Sequence, residues 1–491
     1  MNNVVVMLAD QLRADCLGCY GNRIVQTPHI DQLALNGIRF ESAFAQHPQC
    51  VPSRSSLITG RYPHVNGAIS NHVAMAPNEV TLPEYLQEHG FFTAAIGKVH
   101  LYPLKERSSY QYTMLCGGQT SNRTTPAHLR SDYRHWLRAN GYWETVCRHY
   151  ANRELPAYRE NFQAVVSPLP VEAYYDAWVG DRTVEFIHDQ TLSGQPFYLF
   201  VGFPNPHNPF EPPEPYASMY DPADMNVPAT FHSDLGGKPP QHRKYKAHGR
   251  ASLGLDFNAL TEDKLRRIIA HYYGSITLVD DQVGKIIRAL EDTRLMNDTI
   301  VVFLADHGEL LGHHGMLLKS QDAYPMLYDK SLHVPFIVSA PDVGAGPIVA
   351  PPVELVDYYP TLMDLLGIPI PPEVQGRSLA PAMRGEADNP VEFVFAESGA
   401  VKMVRGSRHK LVYYPGQPYG ELYDLELDPL ELRNLYDDGD HAAVRSTMIQ
   451  ALADRLIAME APRHGESSQG AAYWRRHYRL PFQPQHGQST S

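Results

Sequence analysis

The chain has 491 residues, with 42 Lys and Arg against 54 Asp and Glu, so its formal net charge of −12 excludes the broad basic footprint of a nucleic-acid binder. Hydrophobic residues make up 43% and charged residues 20%, a globular balance; at this length one large core plus a smaller unit is expected, because single cores stop growing near about 250–300 residues. Five cysteines (Cys16, Cys19, Cys50, Cys116 and Cys147) are an odd number in a large chain, which argues against a disulfide framework.

Residues 4–8 are a β-branched run closed by Ala9-Asp10, the pattern of a buried parallel strand. The run is too short to cross a membrane, and no basic leader or cleavage site precedes it. A cytoplasmic chain without a membrane partner is therefore expected. Cys16-Leu17-Gly18-Cys19 matches C-x-x-C, but in a loop without redox context. Thr27-Pro28 pairs an N-cap with an N1 proline and opens a helix that Gly37 ends. Residues 53–60 read as a helix start, 82–90 as a short helix with a glycine stop, and 91–98 as a strand. Asn122 and Asn297 sit in N-x-T patterns that a cytoplasmic chain would leave bare.

Residues 196–203 are a continuous apolar strand, followed by a long helix over 263–290 whose Asp280-Asp281 read as a solvated or ion-paired face. Strands over 299–304 and 334–341 and a helix over 353–367 complete the alternation. This rhythm predicts an α/β fold, a large, mostly parallel central sheet flanked by helices. Such sheets collect ligands outside the carboxyl ends of their strands. Asp10, Lys98, His207 and Asp306 all fall at or just after predicted strand ends, so their chemistry gathers on one edge. A Pro- and Gly-rich stretch over 371–389 marks a boundary, beyond which 392–435 reads as a smaller antiparallel sheet and 442–460 as its covering helix. The expected division is a catalytic unit over 1–380, an α+β subdomain over 381–465 and a tail over 466–491. The tail's Tyr473, Trp474, Tyr478 and Phe482 suit docking in a homo-oligomer.

Asp10-Gln11 and Asp306-His307 each place an acid and a second coordinating side chain past a strand. Carboxylate and amide oxygens suit Ca2+, Mg2+ or Mn2+, and an imidazole tilts the set toward Mn2+. Between them lies Cys50-Val51-Pro52-Ser53-Arg54, followed by Thr59-Gly60-Arg61. These residues resemble the sulfatase family, the formylglycine-dependent branch of the alkaline phosphatase superfamily. "ADQLRAD" at the N-terminus, "GKVHL", "NPHNPF", "ADHGE", "LLKS" and "ELYDLELDPLELRNL" are similar to its other blocks, in family order over roughly residues 1 to 460.

The resemblance implies an alkaline phosphatase-like fold and oxidation of Cys50 to Cα-formylglycine by a formylglycine-generating enzyme. One hydroxyl of the aldehyde hydrate attacks the sulfuryl centre, and the other then drives expulsion of sulfate, so that a difficult displacement is split in two. It also implies one divalent cation, Ca2+ ahead of Mn2+, held by Asp10, Gln11, Asp306, His307 and the side chain at position 50. Arg54 would hold the hydrate, and Lys98 and Lys319 would neutralise the sulfate oxygens. His100 would move the proton during elimination, His207 would protonate the leaving oxygen, and Asp306 would take the nucleophile's proton. Asn71 is a candidate substrate contact or a turn residue, and His313-His314 more simply stabilise a loop. The substrate would be a sulfated small molecule or glycan.

Two departures stand out: many sulfatases have a second Asp where this chain has Gln11, and Asn where it has His307. Those versions also occur in phosphonate monoester hydrolases, so a phosphonate monoester or phosphodiester hydrolase is the alternative activity. Lys98-x-His100 is the more sulfatase-like feature. A non-catalytic anion binder is the remaining class, opposed by competent residues at nearly every site position.

Overall fold

A computed structural model of the chain describes residues 2–101, 109–117, 131–191, 193–341, 343–348, 352–386 and 391–459. Asn122, the Tyr473–Phe482 aromatics and the tail over 466–491 lie outside the described residues. Among the described residues no helix is long and apolar enough to cross a membrane.

Eight strands form the main sheet, in the spatial order Gly346–Ile348, Ile38–Phe40, Phe336–Ser339, Thr299–Ala305, Asn3–Asp10, Phe197–Pro206, Phe92–Gly97, Tyr112–Leu115. The four central strands from Thr299–Ala305 to Phe92–Gly97 run parallel. Val4 to Leu8 are wholly buried because helices cover both faces, which is why the strand is apolar at every position instead of alternating. The largely parallel expectation holds with one exception: Phe336–Ser339 runs antiparallel to both neighbours. The connection from Thr299–Ala305 carries the site loop, the short Asp329–Leu332 helix and the His333–Val334 strand in place of a long crossover helix, and the chain re-enters the sheet in the opposite direction.

The long helix spans Glu262–Asp292 and packs on the Tyr175–Gln190 helix. Its Asp280 is not a solvated face. The side chain is fully buried and accepts the His29 and Ile30 backbone N–H groups at 3.1 and 2.7 Å. These are first-turn donors of the Pro28–Asn36 helix, so an acid about 250 residues away caps it, while Thr27 turns its hydroxyl to Gly18 N–H and Asp31 instead. Asp281 accepts from the Tyr216 hydroxyl at 2.5 Å.

The smaller antiparallel sheet is present: Val394–Ser398, Val401–Arg405, His409–Tyr413 and Gly420–Asp424, covered by the Ala442–Met459 helix over its own apolar cluster. It is tied to the main body by the backbone bond from Glu397 N–H to Gln46 O (2.8 Å) and by the Ser320–Ser398 hydroxyl pair (3.1 Å). Both anchors lie close in sequence to residues of the site.

Candidate active site

The parallel register sets the site. Ala9 lies level with Ala305 on one side and Phe203 on the other, and Gly97 lies level with Gly202. The chain therefore delivers Asp10, Asp306, Lys98 and His207 to one edge. Gly97 has φ +94°, and a Cβ there would collide with Gly202 O, so only glycine lets the strand turn Lys98 inward. Gln11 and His100 also adopt left-handed backbone, at φ 65° and 60°. Strained turns of this kind gather where function over-determines the conformation.

Cys50 is the first residue of the Cys50–Thr59 helix, so the helix begins three residues before the predicted start. Pro52 fits inside its first turn, where no N–H is required of it. Gln49 makes no side-chain cap; Asn71 accepts the Val51 N–H at 3.0 Å in its place. Asn71 thus spends its carbonyl oxygen on the Cys50 helix.

Asp10, Cys50, Asp306 and His307 bring one donor atom each to within 4.8 Å of one another, all buried. Cys50 Sγ is 3.6 Å from Asp10 Oδ1 and 3.2 Å from His307 Nε2. His307 Nδ1 donates to Gly308 O at 2.9 Å, which leaves Nε2 as the lone-pair nitrogen facing the carboxylates. Two carboxylates and an imidazole held in the ligating tautomer fit a divalent cation. Gln11 adds an amide oxygen that Lys319 Nζ reaches at 2.5 Å, and its Nε2 donates to Glu309.

Arg54 does more than its position in the motif implies. Its Nε donates to Asp306 Oδ2 (2.7 Å), its Nη1 to Lys98 O (2.7 Å) and Val99 O (3.1 Å), and its Nη2 lies 3.4 Å from Asp10 Oδ2. One planar fork fixes both carboxylates and the turn that carries Lys98. Lys98 Nζ itself pairs with Asp10, and Lys319 Nζ is 3.2 Å from Cys50 Sγ. Lys98 is 4% exposed, so it is no solvated loop lysine. His100 and His207 are half-buried at the rim, and both reach the Cys50 sulfur.

The named cations, Arg54, Lys98 and Lys319, exceed the two carboxylates. Burial alone would push the Cys50 thiol up, yet Lys319, His307 and Lys98 hold it well below its ordinary value, so negative charge is favoured at position 50. Against burial and the neighbouring Cys50, Lys98, His207 and Arg54 hold the Asp10 carboxylate well below its ordinary value. Burial and Lys319 lower His207 to about 4, while its Nδ1 donates to Asn208 O at 2.5 Å.

Every candidate residue read from the sequence reaches this edge except His313 and His314. Those two bond Thr230 and Ser233 and stabilise a loop. The C-x-x-C thiols stand elsewhere, unpaired and pushed up by burial, Cys16 to about 12, the reverse of a reactive thiol. Sequence reasoning missed the supports. Glu309 accepts the Leu311 and Leu318 N–H groups and so holds the Lys319 loop; Asp176 and Tyr175 bond Asn205, two residues before His207. Glu309 stood inside the "ADHGE" block, but its spacing carried no sign of its partners.

Fold and donor set together are those of the alkaline phosphatase superfamily, hydrolases of charged esters. The family model described as Sulfatase matches residues 2–368, and that of the N-sulphoglucosamine sulphohydrolase C-terminal region matches 312–458; the chain belongs to the sulfatase family and is a sulfuric ester hydrolase. It is 28% identical to an arylsulfatase of Clostridium perfringens, over 92% of this chain and 95% of that one. It is 29% identical to the iduronate 2-sulfatase of Homo sapiens, over 85% and 78%. Among solved structures, the phosphonate monoester hydrolase of Agrobacterium radiobacter superposes with a TM-score of 0.76 at 26% identity, over 94% and 96%.

Proposed function

We propose that this sulfatase releases inorganic sulfate from a sulfated small molecule or glycan through a formylglycine hydrate at position 50, formed by a formylglycine-generating enzyme, with one divalent cation, Ca2+ ahead of Mn2+. The observation that carries the reading is the convergence on Cys50 of a buried carboxylate–imidazole donor set and of Lys98, Lys319, His100 and His207. Asp10, Gln11, Asp306 and His307 would hold the cation. When bound, it lowers the pKa of the attacking hydroxyl and polarises the ester oxygens. The aldehyde hydrate supplies a nucleophile with a built-in exit for sulfate.

The chain's own groups do the rest. Lys98 and Lys319, both buried, neutralise the sulfate oxygens where the local dielectric is low and such charges act most strongly. Arg54 holds the carboxylates in place, and Asp306 takes the nucleophile's proton. His207, held neutral by burial and Lys319, gains affinity for a proton when an anionic ester offsets Lys319, and delivers that proton to the leaving oxygen. His100 serves the elimination step at the hydrate. Asn71 belongs with the helix start that presents residue 50.

One observation favours a second reading: the full-length similarity to a phosphonate monoester hydrolase, together with Gln11 and His307. Parallel kinetics on an aryl sulfate, a phenyl phosphonate ester and a phosphodiester separate the two. The sulfate ester is expected to show the highest kcat/KM, and a large preference for either phosphorus ester overturns the sulfatase assignment of this site.

A further inference from the structure

Beside the site is a recess walled by the rings of Tyr133, Trp143, Tyr150 and Tyr175. Its floor includes Pro204 and Cys116. Cys116 N–H donates to Gly97 O at 3.1 Å, and the residue after Gly97 is Lys98. Pro204 stands three residues before His207, at most about 10 Å of extended chain. Tyr175 donates to Asn205 Oδ1 at 3.0 Å, between those two positions. The recess therefore lies on the reacting edge, within the reach of one or two sugar rings.

Its charge restricts the occupant. The Arg138 guanidinium lies 4.1 Å from the Trp143 ring centroid, and that of Arg153 lies 4.8 Å from Tyr150. Arg153, with Arg134, also lines the recess, and Glu211 pairs with Arg153. Trp143 and Tyr150 each already carry a guanidinium on one face, so a quaternary ammonium brought to the other meets like charge close by. A ring with C–H faces stacks on the walls, and its hydroxyl or acidic substituents lie beside the positively charged Arg134 and Arg153 guanidinium groups.

Resting on the sulfatase reading, we propose that this recess holds the ring of the alcohol esterified to sulfate. It selects neutral or anionic ring-bearing esters, pyranose or aryl, over acyclic cationic ones. Trp143 and Tyr150 are half-buried on one helix, at the edge of the core.

The test is kcat/KM of wild type, Trp143→Ala and Tyr150→Ala on 4-nitrophenyl sulfate, N-acetylglucosamine 6-sulfate, ethyl sulfate and choline sulfate, with melting curves to confirm folding. Losses of about five- to tenfold, mainly in KM, are expected on the two ring substrates, and under about twofold on the acyclic pair. Equal losses on all four, or wild-type preference for choline sulfate, overturn the proposal. A second arm titrates each protein calorimetrically with N-acetylglucosamine and glucuronate. Weaker binding in the variants supports the recess, and absent or unchanged binding overturns it. No sulfate release from any substrate by wild type would instead fault the sulfatase reading, leaving the titration to decide the recess.

Discussion

At position 50 the chain places a cysteine where its surroundings favour negative charge and three basic side chains converge. Active protein is expected to carry a Cys50 peptide in which oxygen replaces sulfur with two hydrogens lost, read by mass spectrometry; a fully active protein holding only the thiol would contradict the mechanism. Arg54 is the second residue on which the geometry turns. It is buried and tied to Asp306, Asp10 and the Lys98 turn. Arg54→Lys keeps the charge but loses the fork, so kcat should fall by about 100-fold or more, with the fold retained. Arg54→Ala also leaves two buried carboxylates short of a partner and should cost about 3 kcal/mol or more in denaturant unfolding. Wild-type kcat in the lysine variant would remove Arg54 from its positioning role.

At the scale of elements, short irregular segments do the positioning. The loop holding His313 and His314 shows how one is stabilised. His314 is 2% exposed, stacks on Tyr328 with centroids 4.3 Å apart, and bonds Ser233 Oγ at 3.1 Å. Burial first, then Lys238 and His242, lower it from 6.5 to about 3. The folded value lies below the unfolded one, so the unfolded chain binds the proton first. Its contribution is complete above pH 6.5 and is lost as pH falls toward 3. Asn accepts the φ of 56° found there and still reaches a hydroxyl. Urea midpoints measured from pH 7.5 to 4 should therefore fall less steeply for His314→Asn than for wild type; parallel curves would show that this histidine does not carry the effect.

At the scale of the molecule, the small sheet is part of the site's support. Lys410, wholly buried, bridges Asp329 of the main body and Glu431 at 2.7 Å each, and Arg405 joins Asp329 at 2.9 Å. Lys410→Ala leaves the buried Glu431 and the partly buried Asp329 with one cation fewer and should destabilise by about 3–5 kcal/mol. A volume-matched Lys410→Met paired with Glu431→Gln should recover part of that loss. Equal stability of Lys410→Ala and wild type in guanidinium would mean the interface draws its strength from apolar packing alone.

By itself the sequence determined the central parallel strands, which are largely continuous apolar runs, and the acids and bases at their ends. It also determined the Cys50 block, because each of these signals is local, carried by spacing within a few residues. Tertiary structure decided what no local pattern holds. It set Asp280 as the cap of a helix about 250 residues away, Arg54 as the tie between two carboxylates, and Asn71 as the support of the Cys50 helix. It reversed the Phe336–Ser339 strand and assembled the aromatic recess from four separate stretches of chain. A buried polar group must be satisfied by whatever partner folding brings to it, and that partner is chosen by packing in space rather than by distance along the chain.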